Sequence, residues 1–71
     1  MSSMFNRATN FNQSIGNWNT SKVTIMENMF SYATNFNQDL HSWNVSMIVY
    51  HNNFDNGAAA WVLPNSRPIF P

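Results

Sequence analysis

Hydrophobic and polar positions recur along this chain with a period of 25 residues. The phrase TNFNQSIGNWNTS at 9–21 returns as TNFNQDLHSWNVS at 34–46. Aligning 4–28 with 29–53 gives identity at twelve of 25 positions. A third, degraded copy keeps the apolar phase through Phe54, Ala58 and Trp61. Such a fixed period predicts an array of stacked units.

Each unit contains a segment with leucine-rich-repeat spacing. It reads Ile15-x-x-Trp18-x-Thr20-x-x-Val23 in one unit and Leu40-x-x-Trp43-x-Val45-x-x-Ile48 in the next. Residues two apart on a strand share a face, so the Trp and the residue two positions later are predicted to point inward. Asn19 and Asn44, which lie between them, are predicted to be exposed.

After this segment the apolar spacing changes to three and four. Val23, Met26, Met29, Phe30 and Ala33 fall on one face of a predicted short helix or 3₁₀ segment. Its start is left open, because both a Ser21 N-cap and a Thr24–Glu27 capping box fit the sequence.

These patterns together predict an α/β solenoid in which each unit of about 25 residues holds one short parallel strand and one short helix or 3₁₀ segment. Residues 1–58 form two full repeats and a degraded third, and residues 59–71, which hold all three prolines, form a C-terminal cap. Asparagines of successive units are predicted to lie above one another and to bond loop backbone groups. The predicted buried residues are Phe11, Trp18, Met29, Phe30, Phe36 and Trp43.

Composition excludes several functional classes. Formal net charge is zero and 8% of residues are charged, which argues against nucleic-acid binding and against electrostatic binding to membranes. The chain has no Cys, so disulfides are excluded. No apolar stretch is long enough to span a membrane, and the first ten residues do not resemble a signal peptide.

The polar residues show no catalytic or metal-binding pattern. The spacings of Asp39, His41, His51 and Asp55 match no common metal-ligand motif. We therefore expect no metal, no cofactor and no enzymatic activity. The periodic methionines are more simply core residues than a soft-metal surface, and inward tryptophans are favoured over a stacking platform for sugars or bases.

The repeated phrase resembles that of BspA-like surface proteins, which carry repeats of about 25 residues. The matching residues include Phe11-Asn12-Gln13, Ile15 and Trp18-Asn19-Thr20-Ser21, and in the second unit Phe36-Asn37-Gln38-Asp39-Leu40 and Trp43-Asn44-Val45-Ser46. The resemblance covers roughly residues 1–58. It implies a leucine-rich-repeat-like fold, a location at the cell surface or outside the cell, and adhesion or protein binding without catalytic residues.

Two functions remain open from the sequence. The first is a protein-binding or adhesion module whose candidate binding residues are Asn17, Asn19, Ser21, Ser42, Asn44 and Ser46. The second is an accessory subunit that docks on a partner protein, or on another copy, through an uncapped N-terminal unit with an assembly edge at Met4, Phe5 and Trp18. Ice or mineral binding is disfavoured, because regular Thr-x-Thr rows are missing.

Overall fold

The sequence units lie one over the next as layers joined by backbone hydrogen bonds. The computed structural model describes residues 1–62 and 65–70. We define the first layer as 1–24, the second as 25–49, the third as 50–62 and the tail as 65–70. Many of the backbone bonds between layers join residues 24 positions apart, one fewer than the repeat: the Phe5 N–H donates to the Met29 carbonyl at 2.9 Å, and the Phe30 N–H donates to the Phe54 carbonyl at 2.8 Å. The sequence period is therefore also the period of the contacts.

Each layer contains a segment of overlapping turns, which we call a turn arm: 1–8, 26–33 and 51–58. Alternate N–H groups of an arm donate to the carbonyl three residues earlier, as Met29 does to Met26. The N–H groups between them, in the first and second arms, donate to the next layer, as Tyr32 does to Asn56 at 2.7 Å. In each of these two arms, alternate N–H groups therefore bond within the arm, and the N–H groups between them bond to the next layer.

The prediction of an α/β solenoid is wrong. Within 1–62 and 65–70 there is no helix and no sheet, and strand pairing is limited to one parallel bridge between Ile25 and Tyr50. The molecule is a compact, turn-rich fold measuring 27 × 21 × 16 Å.

The predicted helix fails at its backbone, although its side chains are buried as expected. Asn28 and Tyr32 have φ of 55° and 57°, in the left-handed region that an α-helix never visits. A helix would also turn every N–H of the arm inward to the carbonyl four residues earlier and leave the next layer unbound. Successive turns of three to four residues bring Met26, Met29 and Phe30 to one side just as a helix would, so periodicity could not distinguish the two structures.

The predicted strands fail because side chains take over the bonds between layers. The buried Thr20 hydroxyl donates to the Asn44 carbonyl at 3.0 Å, and the buried Trp43 indole Nε1 donates to the Ile15 carbonyl at 3.0 Å. Ser21 is not a helix N-cap, since its N–H and hydroxyl both donate to Asn19 Oδ1. Turns at 16–17, 21–22, 41–42 and 46–47 interrupt these segments, and no ladder forms between them.

The core centres on the second layer, which has a neighbour on both sides. All of the core residues with no exposed surface belong to it: Met26, Met29, Phe30, Ala33, Phe36 and Leu40. Aromatic rings at equivalent positions stack between the first two layers, with Phe5 5.3 Å from Phe30 and Phe11 5.7 Å from Phe36.

The third layer and the tail close one end of this core. Phe54, Ala58 and Trp61, the apolar positions of the degraded copy, are all buried. The Phe70 ring lies 4.2 Å from the His51 ring and 4.9 Å from the Phe54 ring. Residues 65–70 thus cover part of the third layer. Leu63, Pro64 and Pro71, also assigned to the predicted cap, lie outside the described residues.

Candidate interaction surfaces

The predicted binding residues include two identical side-chain turns, one in each full unit. Asn19 Oδ1 accepts bonds from the Ser21 N–H at 3.1 Å and the Ser21 hydroxyl at 2.7 Å. Asn44 Oδ1 accepts from the Ser46 N–H at 3.1 Å and the Ser46 hydroxyl at 2.8 Å. The acceptor side of each amide is therefore engaged locally. The amide Nδ2 groups of these exposed asparagines have no acceptor among the described residues.

The other two predicted binding residues lie near a close contact between the first and second layers. Asn17 and Ser42 are exposed, and the Ser42 hydroxyl donates to the Gly16 carbonyl at 3.4 Å. A Cβ at Gly16 would lie 2.8 Å from the Asp39 carbonyl oxygen. Glycine at this position allows the two backbones to meet, and so sets the spacing of the polar residues above and below.

Asparagines at 12 and 37 have a structural role that the sequence had indicated. Asn12 Oδ1 accepts from the Asn37 N–H at 2.8 Å, and Asn37 Oδ1 accepts from the Val62 N–H at 3.1 Å. This confirms the predicted column for Asn12 and Asn37. The other two asparagine pairs predicted to stack do not bond between layers: Asn19 and Asn44 bond within their own turns, and the side chains of 10 and 35 bond no described residue. Asn65 extends the column from the tail, since its amide donates to the Asn37 carbonyl at 3.1 Å.

The first layer presents an apolar face where it has no neighbour. Met4 is 53% exposed, whereas its equivalent Met29 is fully buried. Trp18 is 41% exposed against 4% for its equivalent Trp43, so the prediction that Trp18 is largely buried is wrong. Phe5, the third residue of the predicted assembly edge, is half-buried. The sequence pattern is the same in both units, and the difference arises because only the second layer is covered on both sides.

Backbone groups accompany this apolar face. The carbonyls of Glu27, Met29 and Ser31 accept bonds from the first layer. Their equivalents in the first arm, the carbonyls of Ser2, Met4 and Asn6, receive no hydrogen bond from any described residue. The first arm therefore offers a row of acceptors beside its apolar side chains.

An open groove of about 510 Å³ lies at the opposite end of the molecule, between the third arm and the tail. Its lining comprises His51, Asn53, Phe54, Asp55, Asn56, Arg67 and Phe70. Arg67 Nε binds Asp55 Oδ2 at 2.6 Å, and Arg67 Nη1 donates to the Trp61 carbonyl at 2.8 Å. Sequence reasoning missed this groove. The available signal was Asp55, a carboxylate at the position that Phe30 occupies in the second unit.

Comparison with family models gives one assignment. A family described as "Mycoplasma protein of unknown function, DUF285" matches residues 1–66. The chain belongs to the DUF285 family. No curated protein and no solved structure matches the DUF285 chain.

The ionisable residues of the DUF285 chain do not converge. Among residues 1–62 and 65–70, no three His, Asp or Glu side chains are grouped so as to hold a metal ion. The backbone N–H groups of His41 and Ser66, together with charge on the His41 side chain, hold the pKa of Asp39 below its ordinary value of 3.8. Asp39 Oδ1 accepts both of these backbone bonds, which makes it a link between the second layer and the tail.

One further feature concerns membranes. In the described part of the DUF285 chain, no helix has the length and apolar character needed to cross a bilayer.

Proposed function

We propose that this protein is a non-catalytic repeat module that binds a protein partner or adheres to a surface. Its resemblance to BspA-like surface proteins supports this proposal and a location at the cell surface or outside the cell. The binding surface is the polar side that carries Asn19, Ser21, Asn44 and Ser46. Asn17 and Ser42 flank it.

The observation that carries the proposal is the repetition of the same rigid side-chain turn 25 residues apart. In both units the Asn Oδ1 is held by two bonds from a serine, at distances that agree within 0.1 Å. The amide orientation is thereby fixed, and Nδ2 remains a donor to solvent. Fixed donors lose little conformational entropy on binding, which is how a preorganised surface gains affinity.

The test replaces the donors and keeps the turns. In the double variant Asn19→Asp with Asn44→Asp, each carboxylate still accepts from its serine but offers no donor. The matched control is Asn10→Asp with Asn35→Asp, an equal change of charge at two exposed, equivalent asparagines whose side chains bond no residue in the described part of the chain. Fluorescently labelled chains are applied to an array of purified surface and matrix proteins and polysaccharides.

We expect the wild-type chain and the control to bind the same array members. The Asn19/Asn44 variant should bind those members about tenfold more weakly or worse, as expected when two fixed hydrogen bonds are lost. Equal binding by all three chains would exclude this polar side as the binding surface.

A second candidate function, docking in a larger assembly through the first layer, is favoured by a different observation. Met4 and Trp18 are exposed where their equivalents Met29 and Trp43 are buried. Apolar side chains that are exposed in one unit but buried at the equivalent positions of the next unit form a typical contact surface.

A further inference from the structure

We propose that the first turn arm of one copy docks in the groove beside the third turn arm of another copy, so that the protein associates head to tail. This inference rests on the second candidate function, docking through the first layer, and names the surface that receives it.

The third turn arm, which borders the groove, offers a row of backbone donors. In the second arm, the N–H groups of Asn28, Phe30 and Tyr32 donate to the third layer at 3.0, 2.8 and 2.7 Å. Their equivalents in the third arm belong to Asn53, Asp55 and Gly57. No described residue accepts a hydrogen bond from these three N–H groups. By equivalence with the second arm, they point to the side where a further layer would lie.

The first arm offers the matching acceptors. The unpaired carbonyls of Ser2, Met4 and Asn6 alternate along the arm with the same two-residue spacing as the unpaired donors. The same kind of pairing occurs twice within the molecule, between the first and second arms and between the second and third. A second copy of the chain is the proposed occupant, because it supplies both this row of acceptors and apolar side chains at the matching positions of the repeat.

The arm conformations also match. Ser3, Asn28 and Asn53 have φ of 56°, 55° and 56°, so all three arms share one backbone shape at this position. Arms of equal shape pair in register inside the molecule, and the same register is available between copies. The backbone thus already has the shape required for binding, and docking needs little reordering.

The tail leaves room for this pairing. Phe70 covers the Phe54 ring and so occupies the core side of the third layer, while Asn53 and Asn56 remain exposed on the groove. Asp55 and Arg67 neutralise each other beside it, so this pair adds no net charge to oppose the arm, which itself carries Arg7 and the N-terminal ammonium. Met4 of the docking copy would lose its exposure, as Met29 has done within the chain.

The contact joins two different surfaces, so it is heterologous and leaves one unused arm and one unused groove on every oligomer that does not close into a ring. This property allows a complementation test with two variants. Met4→Lys places a charge on the arm, and Asn56→Lys places one in the groove. Their matched controls are Met47→Lys and Asn52→Lys. Met47 is 54% exposed and is the equivalent of Lys22, and Asn52 is exposed but does not line the groove.

Sedimentation equilibrium of the 71-residue chain measures the association. We expect the average mass of the wild type and of both controls to rise with concentration. Each of the two test variants should associate at least about tenfold more weakly, the effect of losing a central contact. An equimolar mixture of Met4→Lys and Asn56→Lys should form a one-to-one dimer, because each variant keeps the surface that the other has lost.

Amide exchange in the wild type identifies the bonds. The amide protons of Asn53, Asp55 and Gly57 should exchange more slowly as concentration rises, whereas those of Asn28, Phe30 and Tyr32 should be protected at every concentration. A wild type that stays monomeric to about 1 mM, the edge of measurable affinity, would overturn both the docking function and this inference. Association lost in Met4→Lys but kept in Asn56→Lys, or a mixture that stays monomeric, would overturn the head-to-tail inference and leave docking through the first layer standing.

Discussion

At the scale of single residues, the same amino acid at equivalent positions of two units has different surroundings. The Trp43 indole is buried and donates to the Ile15 carbonyl, while the Trp18 indole is 41% exposed. Position in the stack, and not the local phrase, decides how much each residue contributes to stability. An isolated unit would not show this difference.

The two tryptophans give a matched pair for mutation. Trp43→Ala should lower the free energy of unfolding by about 3–5 kcal/mol, since it empties a buried aromatic site and removes the indole hydrogen bond to the Ile15 carbonyl. Trp18→Ala should lower the free energy of unfolding by roughly 1 kcal/mol, because only part of the Trp18 side chain is buried. Urea unfolding measures both. Equal costs would contradict the burial described here.

Asp39 predicts a pH dependence of stability. Its pKa is lower in the folded chain than the ordinary value of 3.8, first because the N–H groups of His41 and Ser66 bind the carboxylate. The ionised form therefore stabilises the fold at pH values above 3.8, and that contribution is lost as pH falls through the lower folded pKa. The urea midpoint of Asp39→Asn should lie below that of the wild type at pH 6.

The two midpoints should converge as the solution is acidified through the lowered folded pKa of Asp39, because below that pKa the residue is neutral in both states. Wild type and variant are compared in the same buffers, so that other carboxylates cancel. A difference that stays constant from pH 6 to pH 2 would show that the effect comes from the shape of the side chain and not from its charge.

At the scale of elements, the turn arm explains how far the sequence could be interpreted. The period, the apolar phase of Phe54, Ala58 and Trp61, and the Asn12–Asn37 column were all predictable, because they depend only on which residues recur. The backbone path was not. The spacing of a helix face is present at Met26, Met29, Phe30 and Ala33. The helix is excluded there by the positive φ of Asn28 and Tyr32. Neither residue is a glycine, which is the residue type that would have indicated a positive φ in the sequence.

The same distinction applies to the surfaces: features that depend on the repeat were predictable, and features that depend on tertiary contacts were not. Exposure of Met4 could be anticipated from a repeat without a neighbour, and Asn19 and Asn44 were rightly predicted to be exposed. Trp18 was misplaced because the inward position of a leucine-rich repeat was applied to the end of the stack as well as to its middle. The groove at Asp55 and Arg67 arises where the tail folds back, a tertiary contact that no periodicity encodes.

Asn28 tests the turn arm directly. Its φ of 55° disfavours residues with an ordinary Cβ, and Asn is among the residues that tolerate this region best. Asn28→Ala should destabilise the chain by about 1 kcal/mol more than Asn28→Gly, as glycine adopts positive φ at no steric cost. The urea midpoints of the two variants measure the difference.

Asn35 supplies the control, since it is exposed and its φ is not positive. Asn35→Gly should be no more stable than Asn35→Ala, because glycine gains nothing there and loses more entropy on folding. If Asn28 behaves as Asn35 does, the arm does not have this backbone shape in solution.

At the scale of the whole molecule, the tail closes the core at one end while the first layer leaves it open at the other. Phe70 stacks on His51 and contacts Phe54, and Asn65 and Ser66 bind the loop at 37–40. A chain of 71 residues buries a limited core. Each of these tail contacts is therefore a sizeable share of its total stability.

Two neighbouring residues of the tail test this closure. Phe70→Ala should lower the free energy of unfolding by roughly 1–3 kcal/mol, since the ring is half-buried against two aromatic partners. Ile69→Ala, at a side chain that is 69% exposed, should change it by less than about 0.5 kcal/mol. The reverse order in thermal or urea unfolding would mean that the tail does not cover the third layer.

The 24-residue separation between bonded partners has a kinetic consequence. The bonds that hold the layers together all bridge about a third of the chain, and the described residues contain no helix that could form early from local contacts. Closing such long loops lowers the entropy of the chain before the stabilising contacts have formed. Chains dominated by distant contacts therefore fold slowly. We therefore expect refolding in the range of about milliseconds to seconds, as for all-β domains. Stopped-flow tryptophan fluorescence measures this, and relaxation within microseconds would indicate that structure forms within a single layer first.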